Sequence, residues 1–492
     1  MKSKYIKYST RYLSVLLVLL VFGGCKKWIV VAPPSTSTTS AAVFGDDNAA
    51  IAALTGIYTQ LSGQGFASVS LPTYSEFGGL SADELTLWGG VAPGTNLIYY
   101  YKNGLTPNST GSGTEFWGNA YNYIYECNAA LEGLNASTSL TPAIKQQLLG
   151  EAEFMRAFFY FYLVNLYGDV PLALTSNYKT NESLARMQKA GVYQQIIADL
   201  KDAQSKLSVN FLDATLLNTS QDRVRPSKWS AAALLARVYL YNGDLTKDAT
   251  NYTSAETEST MLISNSSFFT LSALNNAFLK ASLGNNEAIF QLQPVSASYP
   301  SNTWDGWGFI LPAAGPNGLS AAYLSNALLN SFETGDNRKT NWINTVTAGG
   351  TLYYFPYKYK VNDPNAAVTE YEMVLRLGEQ YLIRAEARTE LGESTAVNDL
   401  NTIRNRAGLS NYAGATDRAS LLTAILHERQ VELFTELGLR WLDLKRTGTV
   451  DAVMSVVTPL KGGGTWNTNQ QLYPIPFNDI QEDSNLKQNA GY

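Results

Sequence analysis

Reactive side chains are scarce in this chain: its 492 residues include one histidine, His427, and two cysteines, Cys25 and Cys127. One imidazole excludes every mechanism that needs two, among them His-rich zinc sites and the HExxH helix. A Ser-His-Asp arrangement would have to pass through His427. That residue stands beside Glu428 and Arg429 in alternating charges, which predicts a solvated or interface helix face. Glycoside hydrolysis would need two acids roughly 5 to 9.5 Å apart across a cleft, and no pair among the 41 acidic residues stands out by position. The conspicuous feature is aromatic: 30 Tyr, 19 Phe and 9 Trp, with only 16% charged residues. Sugar rings offer apolar C–H faces and a rim of hydroxyls, so a glycan site needs flat, rigid aromatics beside short polar groups. Tyr299, Trp304, Asp305 and Trp307 crowd one stretch (YPSNTWDGWGF), and Trp88, Asn96, Tyr99 and Tyr100 lie in another. These are the candidate glycan contacts on chemical grounds. The bland alternative is that the tryptophans cap a helical core and that Tyr99 and Tyr100 belong to a strand. Trp117, Trp229 and Trp441 sit in helical patterns and are expected in the core, as is Cys127. Asp83-Glu84 reads as structural, or else as a sugar or calcium contact; no other cofactor is expected.

The amino terminus carries Lys2, Lys4, Lys7 and Arg11 ahead of the apolar run Leu13 to Phe22. The ten residues of this run are too few for a membrane-spanning helix, which needs about 20, so this is the pattern of a secretory signal peptide. Gly23-Gly24-Cys25 looks like the lipobox of a bacterial lipoprotein, which predicts cleavage before Cys25 and lipidation of that residue. Loss of residues 1–24 removes those four positive side chains, so the net charge goes from -5 to -5 - 4 = -9. An acidic chain without a basic run is a poor nucleic-acid binder.

The elements that must position the aromatic stretches are mainly helical. Residues 25–45 read as a Pro/Ser/Thr-rich arm. Apolar spacing predicts helices from Asp46 to Leu61, Phe116 to Leu134, Ile144 to Tyr167, Val192 to Leu207, Lys228 to Tyr241, Val374 to Leu391, Ser394 to Ala407 and Arg418 to Leu437. The Ile144 to Tyr167 stretch is apolar almost all round from Phe154 onward, which predicts burial by other helices, and Gly168-Asp169-Val170-Pro171 should stop it. Two loop-rich insertions, residues 62–114 and 268–371, interrupt the helices. They divide the chain into an N-terminal region, 46–267, and a C-terminal region, 268–492. Ser230 to Ala249 and Gly378 to Ala396 look like copies of a tetratricopeptide-like helix hairpin, with Gly243 and Gly392 closing the first helix of each; an ordinary antiparallel helix pair is the alternative. Arg440, Asp443 and Arg446, three residues apart, should form ion pairs.

The order of several segments resembles the SusD/RagB family of outer-membrane nutrient-binding lipoproteins. These are Cys25 through Pro34 with AAIAALTGIYTQL, EAEFMRAFFYFYLVNLYGDVPL (Glu151 to Leu172), YLIRAEARTELGESTAVNDLNTIRNRAG (Tyr381 to Gly408), ILHERQVELFTELGLRWLDLKRTG (Ile425 to Gly448) and the terminal LYPIPFNDIQEDSNLKQNAGY (Leu472 to Tyr492). Asp483-Ser484-Asn485 departs from the family's more usual Asn-Pro-Asn, and Lys26-Lys27 from the acidic export signal of some members. The resemblance implies a mainly α SusD-like fold, with tetratricopeptide-like hairpins as scaffold and long loops with short strands as the ligand face. It implies no catalysis, a lipid anchor in the outer membrane facing the cell exterior, a glycan ligand and a SusC-type TonB-dependent transporter as partner. Peptide or other non-sugar nutrient uptake is the near alternative; a glycoside hydrolase and a pure protein scaffold are the remoter ones.

Overall fold

The computed structural model describes residues 40–63, 71–108, 115–295 and 302–492; Cys25 with the signal segment, and Tyr299, lie outside them. The principal helices are α1 (Asp47–Gly63), α2 (Leu71–Ser81), α3 (Asn96–Tyr101), α4 (Glu115–Ala136), α5 (Pro142–Tyr167), α6 (Lys189–Lys206), α7 (Lys228–Thr246) and α8 (Ala249–Ile263) in the first half. The second half adds the short α9 (Trp304–Phe309), then α10 (Leu377–Glu390), α11 (Ala396–Arg406), α12 (Arg418–Leu433), α13 (Leu439–Arg446) and α14 (Val450–Leu460). Short strands complete it: β1 (Leu85–Leu87), β2 (Ala288–Leu292), β3 (Ala322–Leu324), β4 (Ile343–Ala348), β5 (Thr351–Pro356) and β6 (Glu372–Arg376).

Helix α5 is the centre. Every residue from Gln147 to Tyr167 is buried: from Phe154 onward the sequence is apolar almost all round, and the polar Gln147, Glu151 and Arg156 are hydrogen-bonded in the interior. Gly168, at φ 78°, ends it where only a residue without a Cβ sits easily. Helices α4 and α6 pack on its flanks, and from α6 the chain continues as a stack in which α7 lies on α6, α8 on α7, α10 on α8, and α11 and α12 on α10. This is the expected hairpin scaffold.

Glycine Gly243 departs from expectation. It sits inside α7, which runs on to Thr246 and ends with Lys247 in the left-handed region. Its role is a close approach: a Cβ there would stand 2.6 Å from the ring of Tyr252 on α8. Gly392 does end α10, at φ 76°. Two opposite outcomes follow. Gly243→Ala forces the hairpin apart and is expected to cost about 1–3 kcal/mol. Gly56→Ala in α1, with nothing within 4 Å of the new methyl, is expected to gain about 0.5–1 kcal/mol from its helical propensity. Urea midpoints of the two variants should move in opposite directions.

Three further differences from the sequence reading have tertiary causes. The 62–114 stretch contains α2 and α3 rather than loop and strand alone. Val374 to Leu391 divides into β6 and α10, since Glu372 to Arg376 pair antiparallel with β2, most of a hundred residues earlier. Helix α12 stops at Leu433, after which Thr435, Leu437 and Gly438 take positive φ. The reversal is required because α2 crosses there: a Cβ on Gly78 would lie 2.4 Å from the Gly438 Cα.

Candidate glycan-binding face

Strand pairing between distant segments builds the aromatic face. β1 runs antiparallel to β3 with Thr86 opposite Tyr323, and the Trp88 N–H extends the ladder by donating to the Ala321 carbonyl at 2.8 Å. Alternation along a strand buries Leu85 and Leu87 and turns Thr86 and Trp88 toward the side that carries Tyr323. The Trp88 ring then folds over Gly90, where a Cβ would be 2.3 Å from it. Hairpin β4–β5 turns at Gly349-Gly350, both at positive φ, as a two-residue hairpin loop requires. It sets the Tyr353 ring 5.1 Å from that of Tyr323, edge to face. Tyr101, at the end of α3, joins through a side-chain contact with Thr86 and proximity to Tyr323. Beneath Tyr323 and Tyr353, Ile310, Leu311 and Phe355 form a small separate core.

Helix α9 borders this face. The Thr303 hydroxyl caps it, accepting from the Gly306 N–H at 3.0 Å. Trp304 and Trp307 are half-buried and, three residues apart, share one side; Ser320, just before β3, donates to the Trp307 carbonyl at 3.5 Å.

Other sequence candidates belong to the interior. Asp305 points away from the tryptophans into the core, where the Ser75 hydroxyl donates to it at 3.1 Å and its own N–H approaches the Glu372 carboxylate at 3.5 Å. Burial and the neighbouring Glu372 charge push its pKa well above the usual carboxylate value. As a ligand contact it is therefore a misreading: the side of α9 that it occupies is the packed one. Tyr100 is likewise withdrawn, fully buried with its ring stacked on Phe77 at 4.1 Å. Its hydroxyl and the Asn96 amide both donate to Glu115, at 2.8 and 2.6 Å, so Asn96 is committed as well. Tyr99 and Tyr100 are helical rather than extended. Of the sequence candidates among the described residues, Trp88, Trp304 and Trp307 hold partly exposed positions at or beside the face, and Tyr99 is half-buried on α3. Tyr101, Tyr323 and Tyr353 went unmarked in the sequence.

The remaining charged motifs are structural. Asp83 accepts from Nε and Nη2 of Arg440, both at 2.8 Å, which commits that carboxylate to the guanidinium, while burial and then the Asp83 charge push Glu84 up to about 8. No group of three or more His, Cys, Asp or Glu that could hold a metal ion occurs among the described residues. Asp443 pairs with Arg429 and Arg446, as its spacing suggested for Arg446, whereas Arg440 reaches across to Asp83. His427 places Nε2 2.7 Å from the Ser331 carbonyl oxygen. Its neighbours Glu428 and Arg429 are buried, which corrects the solvated reading of that face. Trp117, Trp229, Trp441 and Cys127 are buried as expected.

Residues 95–240 match the family described as "Starch-binding associating with outer membrane", and residues 330–492 match the family described as "SusD family". The chain belongs to the SusD/RagB family. SusD-like protein P2 of Formosa agariphila is 28% identical over 437 residues, 78% of this chain and 82% of that one. A SusD superfamily protein of Bacteroides vulgatus superposes with a TM-score of 0.76 at 21% identity, covering 91% of this chain and 100% of that one. A structure described as a laminarin binding SusD-like protein gives a TM-score of 0.71 at 23% identity, over 91% of this chain and 99% of that one. The SusD fold accounts for the whole helical stack, and no described helix is long and apolar enough to cross a membrane.

Proposed function

We propose that this SusD-family chain is a non-catalytic lipoprotein, anchored through Cys25 in the outer membrane and facing the cell exterior, that captures glycans and passes them to a SusC-type TonB-dependent transporter. The observation that carries the reading is the partly exposed aromatic face made by Trp88, Tyr101, Tyr323 and Tyr353 beside Trp304 and Trp307. Rigid rings drawn from separate elements present the flat apolar area that pyranose C–H faces need. The nearest paired carboxyls, Asp305 and Glu372, are buried under α9 rather than opened toward a substrate, which supports holding over hydrolysis. The family description and the laminarin-binding relative agree with a glycan as ligand.

A dissociation constant between about 1 mM and 1 μM, roughly -4 to -8 kcal/mol, is enough for such a protein, because tethering beside the transporter supplies effective concentration. Trp88→Ala is expected to weaken binding to its cognate polysaccharide by about 10- to 100-fold, the usual range for losing a central aromatic anchor. Affinity electrophoresis against a polysaccharide panel, followed by calorimetry on the positive member, measures it. The reading fails if no member of the panel is bound, or if the Trp88→Ala, Tyr323→Ala double variant binds like the wild type. Release of reducing ends from a bound glycan would overturn its non-catalytic part.

A further inference from the structure

A second cleft, of about 520 Å³, lies between α4 and the C-terminal segment around Asp479 to Leu486, built from residues apart from the aromatic face. One wall is a stripe on α4: Trp117, Tyr121 and Tyr125 recur every four residues and so share a helix face. The Trp117 and Tyr121 rings are 5.0 Å apart, and the Tyr121 hydroxyl donates to the Pro171 carbonyl at 2.8 Å, fixing that ring. Tyr125 is 54% exposed, which leaves its ring open at the mouth of the cleft.

The opposite rim is acidic. Asp479, Glu482 and Asp483 come from the C-terminal segment, and Glu182 from the turn after a short helix. Asp479 is occupied by the Trp117 side chain, and burial pushes its pKa up. No hydrogen bond or ion pair to the Glu182 or Glu482 carboxylate occurs among the described residues. The nearby Arg186 keeps its charge close to Tyr121, but its three nitrogens are taken up by the carbonyls of Asp169, Lys487 and Tyr167 and by Asn489, so it makes no ion pair with the Glu182 or Glu482 carboxylate. Asn181, also in the lining, has its amide committed to the Thr175 carbonyl at 2.7 Å.

The cleft thus offers acceptors, negative charge and aromatic faces, and few free donors. We propose that it is a second saccharide site, selective for a sugar carrying a protonated amine. Tyr121 and Tyr125 would receive the C–H face of a pyranose ring, with the buried Trp117 packed behind them, the volume falls in the range of small-ligand sites, and an ammonium group would sit between the Tyr125 ring and the unpaired carboxylates. Such a cation is attracted by both the ring quadrupole and the charges. A neutral or N-acetylated sugar supplies hydroxyl donors but leaves the carboxylates without a counter-charge. This inference takes only the ligand class, a saccharide, from the proposed function; its residues are independent of the Trp88 face.

The test is calorimetry with fully deacetylated glucosamine oligomers and their N-acetylated counterparts, at a pH that keeps the amine protonated. Binding of the deacetylated oligomer, at least tenfold tighter than the acetylated one, is expected. Tyr125→Ala and the Glu182→Gln, Glu482→Gln double variant should each weaken it fivefold or more. These side chains are exposed, so the variants fold, which circular dichroism checks. Binding should persist when Trp88→Ala has removed the aromatic face. No binding of the deacetylated oligomer, equal affinity for the acetylated one, or loss through Trp88→Ala instead of Tyr125→Ala overturns the proposal. Failure of neutral polysaccharides alone would count against the proposed function and leave this site standing.

Discussion

Glu432→Gln is expected to destabilise the protein by about 3–5 kcal/mol, the cost of removing one partner from a buried ion-pair network. Glu432 is fully buried on α12. One carboxylate oxygen accepts from Arg376 at 2.6 Å and from Arg406, the other from Arg338 at 3.0 Å. Burial alone would raise its pKa, but the guanidiniums of Arg406, Arg376 and Arg338 outweigh that and hold the carboxyl well below its ordinary value. These arginines also use Glu287, Glu428, Glu436 and Asp336, yet among the described residues no other acid touches all three. Glutamine keeps the shape, removes the charge and aims an N–H₂ group at cations. The contrast is Glu333→Gln: Glu333 pairs with Arg404 but its side chain is 41% exposed, so a change of about 1 kcal/mol or less is expected. Urea denaturation with slopes held equal reads both. A loss below about 1 kcal/mol for Glu432→Gln would show that the neighbouring acids suffice without it.

That network also shows what the sequence conceals. Local periodicity was enough for the scaffold: the apolar run of α5, the spacing of α4, α6 and α11 and the Gly-Asp-Val-Pro stop are all properties of contiguous residues. His427-Glu428-Arg429 through Glu432 looks solvated because alternating charge normally faces water. Glu428, Arg429 and Glu432 are buried here because Arg338, Arg376, Arg406 and, for Arg429, Asp443 arrive from other elements. The same limit applied to the site. Clustered tryptophans were visible, and Trp88, Trp304 and Trp307 do reach partly exposed positions. Tyr323 and Tyr353 were not, since the β1–β3 pairing and the β4–β5 hairpin bring them in from isolated positions. Asp305 and Tyr100 misled for the converse reason: a side chain's neighbours in sequence do not say which side of a one-turn helix meets the core. Helix α14 is absent from the predicted helices although Val450, Met454 and Thr458 stand four residues apart on its buried side.

Stability should also fall with rising pH, and Glu372→Gln should remove a measurable part of that fall. Glu372 on β6 and Asp305 on α9 face each other in the interior, with Ser75 from α2, Tyr359, Glu370 and Glu436 around them. Burial raises Glu372 from an ordinary 4.5 to about 7, and burial with the Glu372 charge raises Asp305 well above its ordinary value. A carboxyl whose folded-state pKa is raised binds more protons folded than unfolded. Its contribution is therefore complete below the unfolded value near 4.5 and is lost as pH rises through about 7. At about 1.4 kcal/mol per unit, Glu372 alone accounts for a loss on the order of 3 kcal/mol. Glutamine cannot titrate, so wild type and Glu372→Gln, compared by urea denaturation from pH 4.5 to 8, should converge or cross as the wild type loses that amount; a constant difference across the range would sink the prediction. The comparison removes the opposite trend of Glu432 and Asp443, whose lowered pKa values make them lose stability as pH falls. The carboxyl pair lies directly beneath the helix that carries Trp304 and Trp307. Ionising it strains the packed side of α9, so glycan affinity should weaken over the same pH window in the wild type and less so in Glu372→Gln.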